Sequence, residues 1–205
     1  MWLYLTTFLL YKEEKLAEFK KIKTGIEGLC VIEPQVFGDE RGFFIESYNK
    51  REFEKIGIDL EFIQDNHSKS KKGVLRGLHF QTQYGQDKLV RVIQGSVYDV
   101  AVDLREGSPT YGKWHAEILS AENKKMFLVP KGFAHGFLTL EDDTEFQYKV
   151  TDYYAPEFDS GMLWSDEDLA IAWPLSEYGL TPETLSLSAK DRVQKPFKET
   201  KPLKI

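Results

Sequence analysis

At 205 residues the chain has the size of one domain and can bury a full core, while its net charge of −6, with acids and bases intermixed, lacks the concentrated positive field that a nucleic-acid backbone requires. Cys30 is the only cysteine, which excludes an intrachain disulfide and points away from an oxidising compartment, so a cytoplasmic location is expected. Aromatic residues reach 14%, a share suited to strands and to a cavity lined for stacking.

In chain order, residues 1–11 are apolar (Trp2, Leu3, Tyr4, Leu5, Phe8, Leu9, Leu10), about half of the ~20 residues that a membrane span requires. No basic residues precede this run and no small-residue cleavage site follows it, so a secretory signal is not expected either. Residues 12–21 read as a short charged helix of good helix formers. Residues 1–18 are therefore expected to be a loosely packed N-terminal extension, weighed beside a membrane-surface anchor and a dimer-packing arm, with residues 19–205 forming one domain.

From residue 25 the pattern is all-β. Runs rich in Val, Ile, Phe and Tyr fall at 29–33, 43–48, 61–64, 74–80, 89–94, 96–104, 115–119, 126–129, 136–140 and 145–151, each bounded by turn residues. Gly95-Ser96, between two strong runs, reads as a hairpin turn. A helix is expected at 50–56, ended by Gly57, with a short turn near 165–169 and an irregular wrapping tail from Pro174 onward. So many short strands without long helices imply a sandwich or barrel of the jelly-roll kind. Within residues 144–154, Phe146, Tyr148, Val150 and Tyr154 share one face, which turns Tyr148 inward. Arg76 and His79 fall on opposite faces of their strand, so both can serve one pocket only if a bulge re-aims the strand, and Gly77 between them suits one.

The run Val74-Leu75-Arg76-Gly77-Leu78-His79-Phe80-Gln81 resembles the opening of a metal-binding cupin barrel, and Pro130-Lys131-Gly132-Phe133-Ala134-His135 resembles the segment that supplies such a site's last histidine. A second imidazole two residues after His79 is missing, however; Gln81 stands there, and no Asp or Glu occurs until Asp87. Two imidazoles alone fall short of the three or four ligands of a tightly held zinc or iron, so the histidines read as acid–base groups and no metal is expected.

A longer series of motifs carries a more specific resemblance. Gly38-Asp39-Glu40-Arg41-Gly42-Phe43-Phe44, Gln64-Asp65-Asn66-His67-Ser68, the His79 run, Lys88-Leu89-Val90-Arg91-Val92, residues 130–136, Tyr148-Lys149, Tyr153-Tyr154, Trp164-Ser165-Asp166 and Leu187-Ser188-Ala189-Lys190-Asp191 occur in order. Over residues 19–192 the chain resembles the dTDP-4-dehydrorhamnose 3,5-epimerase family. That resemblance implies a cupin-type jelly roll with a few short peripheral helices, a homodimer with an exchanged N-terminal strand, and neither metal nor coenzyme.

Inverting a carbon beside a ketone requires a base on one side of the sugar, an acid on the other, and a fixed donor for the enolate oxygen. A neutral imidazole suits the base, His79; a phenol, protonated at neutral pH, suits the acid, Tyr148; Lys88, on the parity of Val90 and Val92, suits the oxyanion partner. The resemblance adds Asp191 as the group orienting His79. It also implies ligand contacts from Arg41 and Glu46, both reaching across from the other subunit, and from Gln64, Asp65, Asn66, Arg76, His135, Lys190 and Tyr154, the last stacking on thymine. Asp159 stands where many family members carry Glu, one methylene longer. The expected reaction is epimerisation at C3 and C5 of a dTDP-linked 4-keto-6-deoxyhexose. The alternatives are a C3-only epimerase, a 3,4-ketoisomerase, a metal-dependent cupin oxygenase and a non-catalytic sugar-nucleotide binder.

Overall fold

The structure, a computed structural model, describes residues 18–205; the apolar run 1–11 and residues 12–17 lie outside the described residues. Thirteen strands and one α-helix follow: β1 (Phe19–Lys23), β2 (Cys30–Pro34), β3 (Phe37–Asp39), β4 (Gly42–Phe44), α1 (Lys50–Lys55), β5 (Gln64–Ser70), β6 (Leu75–Gln81) and β7 (Lys88–Gln94). Then come β8 (Ser96–Asp103), β9 (Trp114–Ser120), β10 (Met126–Val129), β11 (Phe133–Thr139), β12 (Thr144–Val150) and β13 (Asp159–Gly161). They form a six-stranded sheet in the order β1-β2-β10-β7-β12-β5, a five-stranded sheet in the order β13-β6-β11-β8-β9, and the separate pair β3-β4. All ladder pairings are antiparallel, as a jelly roll requires.

The inner faces of the two large sheets meet over Val31, Val90, Val92, Val97, Ala101, Phe127, Phe137 and Phe146, all buried. Helix α1 covers the outside of the six-stranded sheet, where Phe53 packs on Phe19 and Tyr48 with ring centroids 4.8 and 5.0 Å apart. The expected helix thus forms, with Asn49 capping the Glu52 amide and Gly57 following its end at φ +74°. The tail after Pro174 crosses the five-stranded sheet in short 3-10 turns and buries Leu185 and Leu203.

Three local expectations are corrected. Residues 19–21, read as the end of a helix, belong to β1, because Phe19 and Ile22 each reach an apolar cluster on opposite faces of the sheet; ladder bonds and burial outweigh a helix propensity worth tenths of a kcal/mol per residue, roughly. Gly95-Ser96 is not a hairpin, since β7 and β8 lie in different sheets. It is a corner, where Gly95 at φ +73° passes so close to Thr144 that a Cβ would stand 2.3 Å from the threonine hydroxyl. The strand expected at 61–64 is in fact β5, beginning at Gln64, and its seven residues are all polar, one face lining a cavity and the other exposed.

The bulge at Gly77 forms. His135 faces His79 while Phe137 faces Arg76, so three steps on β6 match two on β11, and β6 holds one extra residue. Gly77 has φ +115°, and a Cβ there would stand 2.6 Å from the Gly136 Cα and 2.7 Å from the His135 carbonyl oxygen. A Cβ on Gly136 would in turn meet the Arg76 carbonyl oxygen at 2.6 Å. Both obstacles are backbone and cannot swing aside. We expect Gly77→Ala and Gly136→Ala each to destabilise the protein by about 2–4 kcal/mol in urea unfolding, against about 1 kcal/mol of φ strain alone for Gly107→Ala, where a Cβ meets nothing within 4 Å.

Candidate active site

The extra residue in β6 has a direct consequence for chemistry: Arg76 and His79 open onto one cavity. That cavity has two lobes. One, of about 290 Å³, is lined by Gln81, Gln86, Tyr154, Asp159 and Lys190 among others. The second, of about 420 Å³, carries Asn66, Arg76, His135, Phe137, Ser188 and Asp191. His79, Lys88 and Tyr148 line both lobes and so mark their junction. They come from three strands: β6, β7 and β12. Lys88 faces Val150 across the ladder, two residues along β12 from Tyr148, which explains why both side chains open onto the same space.

His79 Nε2 lies 2.5 Å from Asp191 Oδ1, while the Ser188 hydroxyl donates to Asp191 Oδ2 at 2.7 Å. This leaves Nδ1 as the ring nitrogen free to take a proton. Burial pushes the Asp191 carboxyl up, but hydrogen bonds from His79 and Ser188, with the charges of His79 and Lys190, more than offset it and hold it below its ordinary value. Asp191 therefore stays a carboxylate, fixing the ring and stabilising an imidazolium. Burial raises the Tyr148 phenol, against a smaller opposing effect of the Arg76 charge, so the phenol keeps its proton at neutral pH. Burial lowers the Lys88 ammonium to about 8, partly countered by Asp99 and Asp159.

A second imidazole–carboxylate pair was not read from the sequence. His135 Nε2 lies 2.7 Å from Asp99 Oδ1, and Asp99 is fully buried, its carboxyl raised by desolvation in spite of His135 and Lys88. Its second oxygen, Oδ2, has no hydrogen-bond partner among the described residues. The signal was available: Asp99 stands in the middle of an apolar strand on the parity of Val97 and Ala101, and a carboxylate in such a place needs a reason.

The remaining expected site residues divide. Asn66 is in the second lobe, and Gln64 donates to its side-chain oxygen at 2.8 Å. Tyr154 donates its hydroxyl to Asp159 at 2.9 Å, and the Lys190 ammonium also bonds Asp159, so the shortened acid is used inside the protein. Arg76, bonded to Ser70 at 3.2 Å, and Lys190 approach the junction from opposite lobes. Asp65 is corrected: it sits on the outer face of β5 and pairs with Lys149 at 2.9 Å, because period two places it opposite Gln64 and Asn66. Arg41 and Glu46 do not reach the cavity within the chain. Arg41 is exposed and pairs with Asp39 on the β3-β4 hairpin, and Glu46 accepts from Asn49 at 2.7 Å.

The profile of a family described as dTDP-4-dehydrorhamnose 3,5-epimerase matches residues 23–199. The chain belongs to that family. It is 51% identical over 184 residues to the epimerase of that name from Methanothermobacter thermautotrophicus, spanning 90% of this chain and 97% of that one. Against its Escherichia coli namesake identity is 59% over 155 residues, 75% of this chain and 84% of the other. A solved epimerase from Legionella pneumophila, in complex with dTDP-4-keto-L-rhamnose, superposes with a TM-score of 0.83 at 50% identity, covering 89% of this chain and 94% of that one. The chain is thus an isomerase, and its two facing antiparallel sheets are the cupin-type jelly roll that the motifs implied.

Among the described residues no helix is long and apolar enough to cross a membrane. The Lys88 environment makes a direct prediction. Its side-chain carbon and nitrogen resonances should titrate with a midpoint at about 8, and Asp99→Asn should move that midpoint down, because the lost carboxylate had favoured the ammonium. A midpoint unmoved by Asp99→Asn would place the stabilising charge elsewhere.

Proposed function

We propose that the family's epimerisation at C3 and C5, taking dTDP-4-dehydro-6-deoxy-D-glucose to dTDP-4-dehydro-L-rhamnose, is carried out at the junction of the two lobes. The observation that carries this reading is the convergence there of an imidazole, a phenol and an ammonium group from three strands. The neutral His79 ring takes the proton from the carbon beside the ketone, and Asp191 stabilises the imidazolium that results. The pair of electrons left on carbon delocalises onto the keto oxygen, where the Lys88 ammonium meets the developing charge. Tyr148 then delivers its phenolic proton to the same carbon from the other face, which inverts it. A 4-keto sugar has two such carbons, C3 and C5; once proton exchange with solvent has returned the imidazolium and phenolate to imidazole and phenol, a small shift of the ring presents the second.

The rest of the substrate distributes over the lobes. Thymine stacks on Tyr154, and the diphosphate takes charge-assisted bonds from Lys190 on one side and Arg76 on the other. His135, held by Asp99, and Asn66 face the sugar from the second lobe. The protein is proposed to act as a homodimer in the cytoplasm, with an N-terminal strand segment exchanged so that Arg41 and Glu46 complete the neighbouring site. The separate β3-β4 pair, with Phe43 and Phe44 60% and 64% exposed, supports that reading as a segment without a partner sheet in its own chain.

In deuterated water, label should enter the sugar at C3 and C5, as read by NMR; label at C3 alone would reduce the reaction to a single epimerisation. His79→Ala should lower kcat by about 10³-fold with little change in dTDP affinity, since the loss lies in the chemical step. Tyr148→Phe should allow label to wash in while inversion stops. A Tyr148→Phe enzyme that inverts normally would assign the acid to another group.

Subunit exchange is tested by complementation. Arg41→Ala and His79→Ala proteins, each inactive, should regain activity when unfolded and refolded together, because one mixed dimer then carries one intact site. Mixtures that stay inactive, or a fully active monomer by light scattering, would remove the exchanged segment from the mechanism.

A further inference from the structure

Gln81 takes no part in the chemistry above, yet it stands in the wall of the lobe that holds Tyr154, where a metal-binding cupin would place an imidazole. Its carboxamide is committed wholly to backbone. Nε2 donates to the carbonyl of Tyr84 and, at a longer 3.5 Å, to that of Tyr153; Oε1 accepts from the Ala155 amide at 2.7 Å. These contacts join two connections: residues 82–87, which lead into β7, and residues 151–158, which follow β12 and end in a 3-10 turn at Pro156–Phe158. Tyr154 lies between the two backbone groups of the second segment that Gln81 holds.

The neighbourhood supports the same purpose. Gln86 Nε2 donates to the Asp152 carbonyl at 2.7 Å, and the Tyr84 ring meets Phe158 edge-on at 5.3 Å. Across the ladder Gln81 faces Asp159, whose carboxylate receives the Tyr154 hydroxyl. The Tyr154 side chain is therefore held at its backbone by one β6 residue and at its tip by that residue's cross-strand neighbour. It needs both, because the residue is 57% exposed and has little packing of its own to fix it. An unrestrained aromatic would have to be ordered by the ligand, and that cost would fall on binding.

We infer that Gln81 is a positioning residue for nucleotide recognition: it clamps the two loops so that Tyr154 is presented ready to receive the base. This rests on the reading of Tyr154 as the stacking platform. Because the hydrogen bonds of Gln81 all go to the backbone of the two loops and none, among the described residues, to the junction groups or the diphosphate cations, its loss acts on base affinity and leaves proton transfer alone.

The test is Gln81→Met, which keeps the volume and removes the hydrogen bonds, with dTDP and inorganic pyrophosphate as calorimetric ligands. The dissociation constant for dTDP should rise about tenfold and KM with it, while kcat stays within about twofold and pyrophosphate affinity is unchanged. On a Tyr154→Ala background, Gln81→Met should have no further effect on dTDP, since the two residues act as one unit. An unchanged dTDP affinity, an equal loss for pyrophosphate, a fall in kcat alone, or full additivity with Tyr154→Ala would each overturn the inference. If Tyr154→Ala by itself leaves dTDP affinity intact, the platform reading fails and the role of Gln81 fails with it; a weakened Tyr154→Ala with an unaffected Gln81→Met fails Gln81 alone. Should Gln81→Met not fold, Gln81→Leu, which likewise removes both hydrogen-bonding functions without adding charge, carries the same expectations.

Discussion

One surplus residue in β6 underlies the site. Strand geometry alternates side chains with a period of two, so Arg76 and His79, three apart, would otherwise face opposite sides of the sheet. The insertion at Gly77 returns them to one side, and it exists only because β6 and β11 approach closely there, glycine against glycine. Everything placed relative to His79 inherits that register: Asp191 behind the ring, His135 across the ladder, and Asp159 on the edge strand that pairs with the far end of β6. A bulge is usually described as a local distortion, but here it decides whether Arg76 and His79 share a solvent space at all.

The same strands that build the hydrophobic interior also carry its polar groups. Along β7 the inward series runs Lys88, Val90, Val92; along β8 it runs Val97, Asp99, Ala101. Ion-bearing groups in such a position are costly unless compensated, and the compensation is arranged in pairs: His79 with Asp191, His135 with Asp99. Lys88 has no hydrogen-bond or ion-pair partner among the described residues, feeling Asp99 and Asp159 only from a distance, and its ammonium is correspondingly weakened. A cation left short of countercharge is what a developing enolate oxygen can use, because the stabilisation appears only as the negative charge forms.

Legibility in the sequence followed the physical origin of each feature. The all-β class, most strands, α1 and the Gly77 bulge depend on local alternation, on caps and on a glycine, all visible over a few residues. Strand β5 escaped because its inward face meets the cavity and carries Asn66 and Ser68, not apolar residues, so the alternation that marks a strand was lost. Asp65 was misplaced for a related reason: motif membership names a stretch, but only the strand's parity says which residues look inward. The Gly95 corner imitates a hairpin because a turn's residues do not reveal whether its strands will pair or part. Asp99 required taking a lone carboxylate in an apolar run as a demand for a partner 36 positions away, His135.

In the proposed mechanism, reaction and recognition occupy different kinds of structure. His79, Lys88 and Tyr148 stand on paired strands whose backbone is tied on both sides, so the three side chains keep their spacing without help from a ligand. Tyr154 and Lys190 stand on connections outside the large sheets and are held by side-chain bonds to each other's neighbour, Asp159. That division suits a substrate with two demands. The sugar must move slightly between inversions while its catalysts stay still, and the nucleotide must anchor the whole without strain as it does so. A junction fixed by paired strands, with the nucleotide held on separate connections that Gln81 and Asp159 pin, leaves the sugar between them as the part that shifts.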